Sequence, residues 1–421
     1  MLSRRSLLTG SLALVFTPAT AAFAQQVAQQ AEWSQNYEAV SRVRVQRTTT
    51  PILSPQTLAA TEQVIQQYRD IAARGGWQPL RISANLRVGV KSPEVLALRQ
   101  RLIVTGDLDQ AAGESPIYDS YVEAGVRRFQ ARHGLTATGA LNGPTLTAMN
   151  VPVDVRVRQL ELNIVRLRSY SGNLGNRYVI VNIPAALVET VEDGLVQTRH
   201  AAGVGKIDRQ SPVMNAKITE VNFNPFWTVP ASIIRKDLIP KMQKEPNYLT
   251  DNKIRIYNGK GLELSPSQVN WFSDEATRYQ FRQDPGGDVN SMGFVRINIP
   301  NPHGVYMHDT PSKGIFGDDF RFVSSGCVRV QNVRDYIQWL LKDTTGWTRD
   351  QINATLEAGS RTDARLAQPV NVYWTYITAW ATPDGLVQFR DDIYNRDGFG
   401  NAIPVASRVP TAPDEEMFLQ N

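Results

Sequence analysis

Near residue 177 the apolar rhythm of this chain changes from a helical to a strand period, and that change constrains the fold more than any other feature. Ahead of it, apolar residues recur every three or four positions. After Ser54-Pro55 the run Leu58, Val64, Ile65, Tyr68 and Ile71 reads as a helix that Gly75-Gly76 stops. Beyond it, short alternating runs are separated by turn residues. One layer of structure cannot serve both periods. An α+β multidomain chain is therefore expected, with helical segments first and a mainly β, sandwich-like or closed part afterwards. Its 421 residues suffice for two or three cores.

The helical half divides further. "SPEVLALRQRLIVTGDL" puts Val95, Leu98 and Leu102 on one face before Gly106, "SYVEAGVRRFQARHGL" does the same with Val122, Val126 and Phe129, and a third helix opens at "LNGPTLTAMNVP". Residues 86–150 thus read as a compact three-helix domain in which Phe129, Leu135 and Leu146 are core positions. Residues 25–85 are a loosely ordered, then helical, scaffold, and the amphipathic "VRVRQLELNIVRLRSY" marks a linker helix within 151–176.

In the strand-rich part, 177–400, "RYVIVNIPAALVETVEDG" alternates up to Asp193-Gly194, a hairpin signal, and Asp384-Gly385 centres a second hairpin. Residues 233–282 break the pattern, opening with "IIRKDLIPKMQKEP" and carrying Tyr248, Tyr257, Trp271 and Tyr279. So long an insertion suits an aromatic lid over a bound substrate, or else a packed subdomain whose aromatics are core. Residues 401–421 read as a tail.

Residues 1–24 have the pattern of an export leader: Arg4-Arg5, the apolar run Leu12 to Phe16, and Ala22-Phe23-Ala24 before Gln25. "SRRSLL" also resembles a twin-arginine signal. A periplasmic protein, cleaved after Ala24, is expected. In such an oxidising compartment a lone cysteine stands out, and Cys327 is the only one in the chain. It lies in "RFVSSGCVRV", nineteen residues after His308. A nucleophilic thiol needs a base nearby, and His308 at a strand end is the candidate, with His200 and His303 as alternatives. The turn at Gly326 would let the N–H groups of Ser325, Gly326 and Cys327 face an oxyanion, and Arg321 and Arg329 would favour thiolate and an anionic substrate. Four histidines without a Cys/His cluster argue against a structural metal, and the modest net charge of +5 comes with no basic-aromatic platform for nucleic acid.

Two resemblances follow from these residues. "VRRFQARHGLTATGALNGPTLTAMN" is similar to the pattern of peptidoglycan-binding domains, with Met149 where Leu is usual. "HDTPSKGIF" followed by "RFVSSGCVRV" resembles the catalytic signature of L,D-transpeptidases with the YkuD-type domain, and "GVGKIDRQSPVMNAKI" and "FNPFWTVPASI" point to their large periplasmic branch. Ser325 stands where many members have His. The resemblance implies a cross-linking enzyme that needs no cofactor. Cys327 would attack the peptide bond after the diamino residue of a donor stem, release the terminal D-Ala and hold the stem as a thioester. His308 would serve as general acid and base, supported by a nearby backbone carbonyl. Tyr306, Asp309, Ser324 and Arg329 would contact the substrate. The expected partners are donor and acceptor stem peptides, with other cell-wall synthesis proteins as a further class. An L,D-carboxypeptidase or hydrolase of the same fold, and a noncatalytic wall-binding protein, are the alternatives.

Overall fold

The computed structural model describes residues 48–83 and 85–400. The leader, the chain up to residue 47 and the tail beyond residue 400 lie outside the described residues.

Helix α1 (Pro55–Ala73) starts where Ser54 accepts a hydrogen bond from the Thr57 N–H, with Pro55 in the first turn. It packs through Ala60, Val64, Ile65 and Tyr68 on Val153, Val157, Leu160 and Ile164 of α5 (Val153–Ser169). Between them come α2 (Glu94–Val104), α3 (Ser120–Arg132), capped by the Asp119 carboxylate, and α4 (Gly143–Met149), capped by Asn142. Val95, Leu98, Leu102, Val122, Val126, Phe129 and Met149 interlock with no exposed surface, and Leu135 is buried beside them. Burial on this scale contributes about 1.5–3 kcal/mol per large side chain, enough to hold so short a bundle together.

The strand-rich part begins with β1 (Arg177–Asn182) and β2 (Leu187–Glu192). The run expected to alternate through residue 192 breaks at Ile183–Ala186, where Ala186 takes a left-handed φ of 44° and its N–H bonds the Ile183 carbonyl. The second turn is the one legible in the sequence. Asp193 and Gly194, with φ of 50° and 76°, join β2 to β3 (Leu195–Gly205). β4 (Met214–Phe223) precedes the insertion, and β9 (Val295–Asn298), β10 (Met307–His308), β11 (Phe322–Ser324) and β12 (Val328–Val330) follow it. Helices α6 (Val333–Leu341) and α7 (Arg349–Ala358) then lead to β13 (Thr362–Thr375).

These strands form one sheet in the order β11-β3-β12-β10-β9-β4-β13-β1-β2, which closes because β2 also pairs with β3. The long β3 makes closure possible: its first part pairs with β2 as far as Ala201, and the next residues, Ala202 and Gly203, pair with Val330 and Arg329 of β12. Val179, Val181, Ile218, Val221, Ile297, Met307, Val328 and Trp374 fill the interior, and α6 adds Tyr336, Ile337 and Leu340.

The insertion is a unit with its own sheet. β5 (Trp227–Thr228), β6 (Ile254–Tyr257), β7 (Glu263–Leu264) and β8 (Gln280–Gln283) pair in the order β5-β8-β6-β7, so the sheet takes in β5 ahead of the expected 233–282 range and ends one residue beyond it. A helical run from Ala231 to Lys244 covers it, with a π turn at Ile234–Leu238. Of the two readings of the insertion, Tyr248 and Trp271 follow the packed subdomain: they are buried with Leu238, Leu249, Ile256 and Phe281 in this unit's core, and Tyr257 and Tyr279 are half-buried. Their rings stabilise the subdomain rather than offer a surface.

The hairpin β14 (Ala379–Ala381) and β15 (Val387–Phe389) joins the two halves of the chain. It packs into the α1/α5 core, and His133 at the end of α3 stacks between Phe129 and Phe389. Arg390 donates to the Arg132 carbonyl at 2.9 Å, and the Thr136 N–H donates to Asp319 at 2.6 Å.

Candidate active site

The pleat of two neighbouring strands assembles the site. β10 and β12 run parallel with Met307 opposite Val328 and His308 opposite Arg329. Met307 and Val328 point into the core, so by alternation Tyr306, His308, Cys327 and Arg329 share the outward face. On the other side of β10, Arg296 of β9 stands opposite His308 and joins that face. Its guanidinium lies over the Tyr306 ring, 4.6 Å from the centroid, and that ring meets His308 edge-on at 5.7 Å.

Cys327 is half-buried at the end of a tight turn between β11 and β12. The turn requires glycine, because Gly326 has φ 109° and an added Cβ would sit 3.3 Å from the Gln210 carbonyl. Ser324 braces it from within: its hydroxyl donates to the Cys327 carbonyl at 2.5 Å and accepts the Gly326 N–H at 3.1 Å. Ser211 donates to the Gly326 carbonyl at 2.9 Å. Among the described residues the N–H groups of Ser325 and Cys327 make no hydrogen bond. Of the three expected oxyanion donors, Gly326 is thus already engaged, by Ser324.

Burial pushes the Cys327 thiol up to about 11, against the opposing pull of the Tyr306 backbone, Arg296, Arg329 and the Tyr306 hydroxyl. Burial likewise drives His308 down to about 3, helped by Arg329 and opposed by its hydrogen bond to the Asp309 carbonyl. The resting site therefore holds a neutral thiol and a neutral imidazole. His308 Nδ1 lies 2.5 Å from the Asp309 carbonyl oxygen, an acceptor only, so Nδ1 carries the proton and Nε2 the lone pair.

The other expected residues divide. Tyr306, with the Trp227 indole beside it, faces the thiol, and its own hydroxyl is pushed up by burial and by Cys327. Arg329 is buried on the same face and lowered to about 10 by burial. Asp309 is buried with its carboxylate accepting from the Phe294 N–H at 3.0 Å and from Lys313, and Ser324 is buried inside the turn, so neither side chain offers a substrate contact. Arg321, expected to favour the thiolate, points away and donates to the Asp318 and Ala185 carbonyls. Arg296 supplies that charge instead. Its alternation with Val295 and Ile297 in "GFVRINIP" was the available signal. His303 is exposed in a turn, and His200 is buried with one nitrogen at Thr198 (2.7 Å) and the other at the Gln331 carbonyl (2.9 Å), leaving it no free lone pair for a thiol. Among the described residues no group of three or more His, Cys, Asp or Glu side chains could hold a metal ion.

Comparison with known proteins agrees with the motifs. Residues 176–353 match the model of the "L,D-transpeptidase catalytic domain" (YkuD), and residues 91–149 that of the "Putative peptidoglycan binding domain". A relative from Haemophilus influenzae named "Putative L,D-transpeptidase" is 34% identical over 241 residues, which are 57% of this chain and 48% of the relative. The chain thus spans about half the length of the curated relative it matches. Among solved structures, an L,D-transpeptidase (Yku) from Stackebrandtia nassauensis aligns over 69% of this chain and 97% of its own, at 13% identity and a TM-score of 0.27. An L,D-transpeptidase from Xylanimonas cellulosilytica aligns over 70% and 98%, at 15% identity and a TM-score of 0.23. Residues 176–353 thus match the YkuD L,D-transpeptidase catalytic-domain family, and residues 91–149, ahead of them in sequence, match a peptidoglycan-binding-domain family.

Proposed function

We propose that the protein is a peptidoglycan L,D-transpeptidase that joins the diamino residues of two stem peptides through a thioester on Cys327. The observation that carries this reading is the common outward face of Tyr306, His308, Cys327 and Arg329 across β10 and β12, with His308 Nδ1 tied to the Asp309 carbonyl.

As the Cys327 sulfur attacks the carbonyl carbon of the donor's scissile peptide bond, His308 Nε2 takes the thiol proton. Because both groups rest neutral, proton transfer accompanies attack rather than preceding it. The N–H groups of Ser325 and Cys327 and the Tyr306 hydroxyl are the donors for the tetrahedral oxyanion, and Arg296 and Arg329 add positive potential. Collapse breaks the C–N bond, His308 returns its proton to the leaving D-Ala amine, and the stem remains as a thioester. An acceptor amine then attacks the same carbon, loses a proton to His308 and displaces the sulfur, which recovers that proton. Dividing the acyl transfer into two steps is the gain from covalent catalysis.

The three-helix domain fits a wall-binding role, and such a substrate places the protein in the cell wall or periplasm. Among the described residues no helix is long and apolar enough to cross a membrane. Mass spectrometry of products from disaccharide tetrapeptides tests the reading. Dimers linked between diamino residues, with loss of one D-Ala, are expected. Tripeptide alone would make the protein a carboxypeptidase, and unchanged substrate would leave it a noncatalytic wall-binding protein.

A further inference from the structure

The cysteine turn is held from outside by a loop that also grips the insertion. Residues 206–211 fold back against the end of β3 so closely that a Cβ on Gly205 would lie 2.3 Å from the Arg209 carbonyl. From this loop Ser211 holds the Gly326 carbonyl, and Arg209 Nη1 donates to the Ser325 hydroxyl at 2.9 Å. The same guanidinium forms a fork with Asp237, Nη1 to Oδ2 at 2.6 Å and Nη2 to Oδ1 at 2.7 Å. Asp208 adds two weaker contacts, to Arg209 Nε at 3.5 Å and to Lys236 at 3.9 Å. Asp237 and Lys236 both belong to the π turn at Ile234–Leu238. Such turns are rare irregularities that recur at functional sites. Arg209 is mostly buried and Asp237 about three-quarters so. A bidentate, charge-assisted pair in that setting is geometrically exacting, unlike a surface ion pair.

We propose that Arg209 is a positioning residue which, clamped by Asp237 of the insertion, holds the Ser325 hydroxyl and thereby sets the orientation of the Cys327 thiol. This rests on the reading of Cys327 as the nucleophile and goes beyond it. One link of the insertion to the chemistry is this polar tie at its π turn, while its buried Tyr248 and Trp271 are occupied in its own core. Movement of the π turn away from residues 206–211 releases Ser325 and loosens the neighbouring thiol. A released thiol meets a small electrophile more easily but is no longer aligned for the stem peptide. The signature is therefore a faster reaction with a small reagent together with slower turnover.

Cys327 is the single thiol of the chain, so alkylation by iodoacetamide, followed by intact mass at fixed pH, reports on it without background. Asp237→Asn and Ser325→Ala should each raise the alkylation rate about threefold or more, while kcat for the stem peptide falls about tenfold and KM stays within about twofold. The double variant should match either single one, because both cut the same path. Ser325→Thr, which keeps the hydroxyl, should restore the slow rate. Asp284→Asn, which removes a different ion pair of the insertion (Arg255 to Asp284, 2.8 Å), should change nothing. Should Asp237→Asn fail to fold, hydrogen exchange in Ser325→Ala keeps the test. The coupling is reciprocal, so amides 234–238 should exchange faster than in the wild type. Multiplying effects in the double variant, an equal response to Asp284→Asn, or unchanged exchange at 234–238 would overturn the proposal. Alkylation needs only the thiol, so a wild type that made no cross-links would count against the reaction and leave the test of the tie intact.

Discussion

His308 at the end of β10 and His133 at the end of α3 have nearly the same local electrostatics. Both are buried, both hold Nδ1 against a main-chain carbonyl (Asp309 at 2.5 Å, Phe129 at 2.8 Å), and both are driven below the usual histidine range, first by burial and then by a neighbouring arginine. Their surroundings differ. His133 is sandwiched between Phe129, 3.8 Å between ring centroids, and Phe389 at 5.5 Å, where it joins the three-helix domain to the β14–β15 hairpin. His308 shares a strand face with a thiol, a tyrosine and two arginines. A depressed histidine pKa reports burial, then, and the groups that share its surface decide whether it has chemistry to do.

The largest expected effect separates the two histidines directly. His308→Gln should lower turnover by about two to four orders of magnitude, the usual scale for a positioned acid–base group. His133→Gln should leave turnover within about threefold and lower the melting temperature, since stacking of this kind is worth about 0.5–1.5 kcal/mol beyond the area buried. Steady-state kinetics beside thermal unfolding checks both, and equal losses of turnover would break the comparison.

Next in size is the charge beneath His133. Arg132 and Asp107 are each about 2% exposed and paired at 2.6 Å. Asp107→Asn leaves a buried guanidinium without its counter-charge and should cost about 3–5 kcal/mol in denaturant unfolding. Stem-peptide kcat, measured where the variant is folded, should change little.

A smaller effect sharpens the electrostatic half of the comparison. His308, His133 and His200 all have folded pKa values below the unfolded one, so the unfolded chain binds more protons in weak acid. Their contribution to stability is complete above pH ~6.5 and is lost as pH falls towards the folded values, by up to ~1.4 kcal/mol per unit for each. Urea unfolding from pH 7 to 4 should show that slope, and His133→Gln should flatten it. The smallest effect belongs to exposed His303, where Gln should change neither rate nor stability measurably.

Much of this comparison was legible in the sequence because the strand end at His308 and the Ser-Ser-Gly-Cys turn are local patterns. The helix start at Ser54-Pro55 and the Asp193-Gly194 hairpin were legible for the same reason. What escaped reading depends on long-range pairing. Closure of the sheet needs β3 to serve β2 and β12 in turn, and no residue of β3 announces two partners. Arg296 enters the site only through its register with His308, and Arg321, just ahead of β11, leaves it because the Asp318 and Ala185 carbonyls take its guanidinium. The Asp309 carbonyl is backbone, invisible to any reading of side chains. Asp237 reaches the cysteine turn from a π turn in a segment whose aromatic content pointed elsewhere.

The central claim is that Cys327 carries the acyl group and His308 moves its proton. Intact-mass analysis of wild type, Cys327→Ala and His308→Gln, quenched in acid during reaction with disaccharide tetrapeptide, tests it most directly. The wild type should gain the mass of the donor stem less D-Ala, Cys327→Ala should gain none, and His308→Gln should gain it only after far longer incubation. The same adduct on Cys327→Ala, or wild-type rates of acylation in His308→Gln, would contradict the account.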